Sequence, residues 1–213
     1  MVQRLVNPVP PSLPLGPEQY ERRFIDQHSN VLRLYFNQLS NTTGSLLGNK
    51  GGRFLSYPYA AVQRTTDKSF TINTPTQITF DQNDFLNGCT NDGTDGIHVE
   101  HEGIYNYQFS TQFRNTSTQI HSAWIWLRVN GVDLNGTGSK FDVTSSHGGI
   151  DGFVIGAANF YVQLQSGDYV EMWAAVDNTA VTFDATGASS SPFVMPAIPS
   201  VVATLSFVSA LTA

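Results

Sequence analysis

Charge is scarce in this chain. Asp, Glu, Lys and Arg make up 13% of its 213 residues, about half the usual share. The 11 Lys and Arg stand against 17 Asp and Glu, a net charge of −6. The basic residues are scattered, apart from the pair Arg22-Arg23. Nucleic-acid binding needs a basic face, so no nucleic-acid partner is expected. Long apolar runs are missing too. None approaches the roughly 20 residues of a spanning helix, so no membrane insertion is expected. Met1-Val2-Gln3-Arg4 begins no apolar leader segment, and no secretory signal is expected. Cysteine occurs once, at Cys89. An intrachain disulfide framework is therefore excluded, in keeping with folding in a reducing cytoplasm. Glycosylation sequons stand at Asn41, Asn115 and Asn135; in a chain rich in Asn and Thr they read as chance matches.

Catalytic signatures are also lacking. There is no Gly-x-Ser-x-Gly elbow, P-loop or dinucleotide fingerprint. Ser145-Ser146-His147 reads as a loop, and Asp133 with Asp142 is a weak version of a glycosidase carboxylate pair. Cys89 has no positive neighbour to lower its pKa. His98, Glu100, His101 and Glu102 form the densest ligand-capable cluster, with His98, Glu100 and Glu102 on one face of a strand. Asp92 and Asp95, in Asn91-Asp92-Gly93-Thr94-Asp95-Gly96, are weak calcium candidates, because no EF-hand Glu follows. The expectation is no enzyme and no cofactor.

What is present is apolar and aromatic: 40% hydrophobic and 12% aromatic residues, enough for one sizeable core plus a tail. With so little charge, the surface must be rich in Asn, Gln, Ser, Thr and Gly, as in secreted and virion β proteins or in surfaces hidden between subunits.

Three regions follow. Residues 1–17 carry Pro8, Pro10, Pro11, Pro14 and Pro17, which favour an extended path. Leu5, Val6, Val9, Leu13 and Leu15 between them suggest a docking arm laid on another protein, or a strap folded back on the stalk or a neighbouring copy. Residues 18–52 read as a helical stalk and glycine hinge. The helix is predicted over 17–47, with Pro17 in its first turn and Glu18 and Glu21 near its positive end. Ile25, His28, Leu32, Tyr35, Leu39, Thr42 and Leu46 step by three then four, a heptad seam. A parallel bundle of identical helices would bury it; packing on the chain's own β domain is the alternative. Gly48-Asn49-Lys50-Gly51-Gly52 reads as the hinge.

From residue 53 to 213 the period changes to that of an antiparallel sandwich. Strands are predicted near 57–65, 69–72, 77–81, 97–101, 104–114, 121–129, 132–135, 140–145, 153–165, 169–177, 180–185 and 200–209. Asn130-Gly131 between two strands is a strong hairpin signal.

Three motifs, in order, carry a resemblance: Ile97-His98-Val99 running to Gly103-Ile104-Tyr105-Asn106-Tyr107-Gln108-Phe109; Trp124-Ile125-Trp126-Leu127-Arg128-Val129-Asn130-Gly131; and Phe160-Tyr161-Val162-Gln163-Leu164-Gln165-Ser166-Gly167-Asp168-Tyr169-Val170. With Thr204-Leu205-Ser206-Phe207 closing, residues 54–209 resemble the tumour-necrosis-factor-like jelly roll of the complement globular-head type. That likeness implies a trimer around an aromatic-rich axis. Tyr107, Trp124, Trp126 and Phe207 are the candidates for that axis, with core placement as the alternative. The run Asn7-Pro8-Val9-Pro10-Pro11 to Pro17, followed by Tyr20-Glu21-Arg22-Arg23-Phe24, is similar to the start of structural proteins of tailed marine phages. There is no Gly-X-Y stalk, so the complement family's defence function does not carry over.

The expected architecture is therefore mainly β, an antiparallel jelly-roll sandwich preceded by an extended arm and one helix, and trimeric. The expected function is a structural virion protein of a tailed phage, assembled in the host cytoplasm. It would be a capsid decoration protein or a short head or tail fibre, with capsid or tail proteins as partners of the arm. The alternative is a knob binding a host receptor or glycan through loops near 85–95, 145–152 and 186–197, where Phe85, Phe153 and Phe193 are the aromatic candidates.

Overall fold

The computed structural model describes residues 9–13, 15, 18–47 and 57–211, with helix side chains as far as Gly44. Leu5 and Val6 of the arm, the side chain of Leu46 and the 48–52 hinge lie outside the described residues. The chain falls into two compact units that part between Tyr57 and Pro58.

The first unit holds one helix, α1, Arg22–Leu47. It starts five residues later than Pro17 suggested. The backbone carbonyl of Glu21 accepts from the amides of Phe24 and Ile25, so Glu21 sits at the cap and residues 18–20 stay outside. Phe24, His28, Val31, Leu32, Tyr35, Leu39 and Thr42 are half-buried along one stripe, whereas Ile25 is exposed. No described side chain of α1 is fully buried.

The second unit is a sandwich of two antiparallel sheets. Its described strands are β1 Tyr59–Arg64, β2 Thr76–Ile78, β3 Gln82–Asn87, β4 Cys89–Thr90, β5 Ile97–Val99, β6 Gly103–Asn115, β7 His121–Val129, β8 Val132–Asp133, β9 Ser139–Val143, β10 Gly152–Leu164, β11 Tyr169–Val176, β12 Val181–Phe183 and β13 Val201–Ser209. Sheet A has the order β10-β6-β13-β1-β3, with β12 continuing the β13 edge of β6; sheet B runs β4-β5-β11-β7-β8, with β2 on β11 and β9 on β7. The chain crosses between the sheets repeatedly, going from β6 to β7, β9 to β10, β10 to β11 and β11 to β12, in a jelly-roll-like path.

Alternation explains the longest strands. In β10, Val154, Ala158, Phe160, Val162 and Leu164 face inward, while Phe153, Ile155, Asn159 and Tyr161 face outward. Between the sheets lies one continuous core. Phe113 of β6 is its hub, with its ring edge-on to Phe183 at 5.2 Å and tilted against Phe141 of the opposite sheet at 5.4 Å. The Asn130-Gly131 hairpin forms as expected, with φ of 51° and 78°. Such angles are natural for Asn and Gly and match the twist of the flanking strands.

Four expectations change. Residues 69–72 form no strand; Phe70 instead plugs the core 4.8 Å from Phe183, and the chain turns at Asn73 with φ 54°. Two strands, β3 and β4, stand where a loop was expected. Gln82-Asn83-Asp84-Phe85-Leu86-Asn87 has no alternating apolar face, because β3 is an edge strand held by β1 alone. Phe85 and Phe153 accordingly lie on strands, and only Phe193 is in a loop. Finally, Tyr107 and Phe207 point into the sandwich, 0% and 8% exposed, the core placement that stood as the alternative to an axis. Their positions alternate with the outward-facing Asn106, Gln108 and Ser206.

Candidate functional site

The two outer faces differ in chemistry. On sheet A, β10 and β13 contain no charged residue, and β6 contains only Arg114. Arg114 is already paired with Asp151 at 2.6 Å and Asp184 at 3.3 Å. Register puts Tyr59, Ser206, Asn106 and Tyr161 in one row, and Phe85, Ala61, Thr204, Gln108 and Asn159 in the next. The amides satisfy one another: Gln108 donates to Asn106 at 2.7 Å, and Asn106 to Asn159 at 2.5 Å. Around this ladder Phe85, Phe153, Ile155 and Tyr161 are all more than half exposed. Between Gln108, Ser110, Ala157 and Val202 the surface is hollowed into a shallow depression.

Sheet B carries the opposite character. Its outer face holds all three tryptophans of the chain. Trp124 and Trp126 are two apart on β7, and Trp126 is the direct register partner of Trp173 on β11. The Trp126 indole N–H donates to Asp133 at 2.7 Å and that of Trp173 to Glu171 at 3.3 Å. Arg128 pairs with Asp133 at 2.5 Å and stacks 3.8 Å from the Trp173 ring centre. Lys140 lies 5.9 Å over Trp124 and 3.1 Å from Asp142. Trp124 and Trp126 thus sit on the face of sheet B, far from the apolar rows of sheet A.

The weaker sequence candidates disperse. Asp92 caps its own turn, accepting from the Thr94 amide at 2.9 Å and the Thr94 hydroxyl at 2.6 Å. These bonds hold its carboxyl below the usual range. Asp95 is bound to His98 Nε2 at 2.8 Å. Strand β5 ends at Val99, so His98, Glu100 and Glu102 do not share a strand face. Among the described residues no three His, Cys, Asp or Glu gather as a metal site. Neither Asp133 nor Asp142 has the raised carboxyl of a glycosidase acid; both are held low. Arg128 and the Trp126 N–H act on Asp133; the Ser122 hydroxyl and Lys140 act on Asp142. That reaction needs one acid with a raised pKa. Cys89 is buried, and burial together with the charge of Glu100 pushes its thiol up to about 12. Asn115 of the central sequon is fully buried, its amide donating to the carbonyls of Gln119 and Thr144.

Of the arm, Val9 and Leu15 are exposed, as is Leu13. The exposure of Ile155 and Tyr161 on sheet A escaped sequence reading, since nothing local tells which side of β10 faces out. Among the described residues no helix is long and apolar enough to cross a membrane. No protein-family model matches this chain, and no curated protein matches it.

Proposed function

We propose that this chain is a structural virion protein of a tailed phage: a homotrimeric capsid decoration protein or short head or tail fibre, anchored by its N-terminal arm. The observation that carries the reading is the outer face of sheet A. Phe153, Ile155 and Tyr161 along β10 are large apolar side chains left more than half exposed, which favours an interface. Beside them β6 and β13 carry a single charge, the paired Arg114, and a self-satisfied amide ladder, a charge-poor composition that suits a surface covered by another subunit. The half-buried heptad stripe of α1 supports the same conclusion, because such a stripe on a single helix gains stability by pairing with copies of itself. The exposed Val9, Leu13 and Leu15 support an arm that docks on a capsid or tail protein.

The test is the solution mass by light scattering. Three times the 23.3 kDa chain is the expected result; one chain mass overturns the reading. Deleting residues 1–17 should leave three chains per assembly, each lighter by the arm, while abolishing incorporation into particles. A truncated protein that still incorporates removes the arm from the proposal.

A further inference from the structure

We infer that the outer face of sheet B is a binding site for a neutral saccharide. The inference goes beyond assembly and does not depend on it, since it concerns the face opposite to the one assigned to subunit contacts.

Three observations converge. First, every tryptophan of the chain lies on this face in adjacent positions. A fold using Trp only as core filler would place it between the sheets, where none is found: Trp124 is 37% exposed, and Trp126 and Trp173 are half-buried. Second, the rings are fixed. The indole N–H groups of Trp126 and Trp173 are tied to Asp133 and Glu171, which limits rotation; Arg128 already covers one face of Trp173, so Trp124 and Trp126 are the rings offered for stacking. Third, the outward positions of β7, β9 and β11 carry no Val, Leu, Ile or Met; those side chains point inward there. A protein partner is normally met by aliphatic side chains as well as aromatic ones, as sheet A offers with Ile155 and Val202. Tryptophan surrounded by fixed donors and acceptors suits instead a sugar ring, whose C–H face stacks on an indole while its hydroxyls exchange hydrogen bonds.

Charge complementarity selects the class. Arg128 and Lys140 supply donors and Asp133 and Asp142 supply acceptors, while the buried Glu171, held by the Gly131 amide and the Trp173 indole N–H, adds negative charge beneath the face, so acids outnumber bases there. A polyanion such as nucleic acid or a sulfated glycan would meet net repulsion. Arg128 is already committed to Asp133 and to the ring of Trp173. A neutral oligosaccharide running along β7 would stack on Trp124 and Trp126, with Lys140 and Asp142 flanking one end and Arg128 and Asp133 the other.

The full-length protein should be applied to an array of neutral and anionic glycans. It should then be titrated with maltohexaose, cellohexaose and laminarihexaose, following its own tryptophan emission. The result expected is retention of at least one neutral glycan and a saturable change in emission. Trp124→Ala should weaken affinity by about tenfold, the scale of one lost stacking contact. Lys140→Ala, at a side chain 54% exposed and so safe for folding, should weaken it several-fold by the same logic. Ile155→Ala, on sheet A, should leave it unchanged. No retained glycan, retention of anionic glycans alone, or binding indifferent to both Trp124→Ala and Lys140→Ala would overturn the assignment, whatever the oligomeric state proves to be.

Discussion

Gly103 of β6 lies against the ring of Phe207 on β13: a Cβ built at Gly103 would stand 2.4 Å from Phe207 Cε2 and 2.8 Å from the Ser209 carbonyl oxygen. The strands are drawn close here where the ladder shifts register between Phe207 and Ser209, and the Phe207 ring meets Tyr105 edge-on at 5.5 Å. The backbone oxygen cannot rotate away as a side chain could. Gly103→Ala should therefore destabilise the sandwich by about 3 kcal/mol. Gly138→Ala, with nothing within 4 Å of the added methyl, serves as the control and should be near neutral. Urea unfolding followed by circular dichroism distinguishes them.

If the copies meet through sheet A, charge placed on its β10 edge, where the exposed apolar side chains lie, should separate them. Tyr161→Arg and Ile155→Arg alter side chains 70% and 64% exposed in the single chain, so folding should survive. Light scattering should show the mass fall from three chains to one. A trimer that persists in both variants would move the interface elsewhere.

Asp81 supplies a pH dependence. Burial pushes its carboxyl up, but donors outweigh it: the Thr65 amide at 2.8 Å, the Thr65 hydroxyl at 3.0 Å and the Thr66 hydroxyl at 3.2 Å, with help from Arg64. The net result is a pKa below the ordinary value. A depressed carboxyl stabilises the fold above its unfolded pKa, about 3.9, and loses that contribution as pH falls through the folded value. Asp81→Asn should thus be less stable than the parent at pH 7, with the gap closing below about pH 4. Denaturation midpoints at the two pH values give the answer; a gap that does not depend on pH would show that the carboxylate charge is not what matters.

Cys89 should be silent in the native protein. It is 4% exposed, and burial first, then the Glu100 charge, raises its thiol to about 12. At pH 8 the thiolate that reacts with disulfide reagents is nearly absent. Titration with such a reagent should show no release until denaturant is added, then one thiol per chain. Rapid native reaction would contradict the packing around β4.

Much of the fold was legible locally. The Asn130-Gly131 hairpin, the long strands β6, β7, β10 and β11, and the helical span of α1 are set by turn chemistry and by runs long enough to show their period. Strand β3 was not legible, because an edge strand with one neighbour needs no apolar alternation. The 69–72 stretch misled for the opposite reason. Phe70 and Ile72 alternate like a strand, yet Asn73 turns the chain before any ladder forms.

The candidate site was legible only as a list of residue types. Tyr107 and Trp124 look equally suited to an interface in the sequence. Pairing put one in the core and the other on the outside of sheet B.

By itself the sequence determined which residues are available and how each short run folds: a scarcity of charge, a single thiol, a heptad stripe, alternating strands and their turns. Those depend on interactions within a few residues and on composition, so they can be read without the rest of the chain. Only the tertiary structure decided which face of each strand is covered. Packing two sheets buries one side of every strand, and the choice depends on partners distant in sequence. That choice left a charge-poor face on β10, β6 and β13 with Ile155 and Tyr161 exposed, and gathered Trp124, Trp126 and Trp173 on the opposite side.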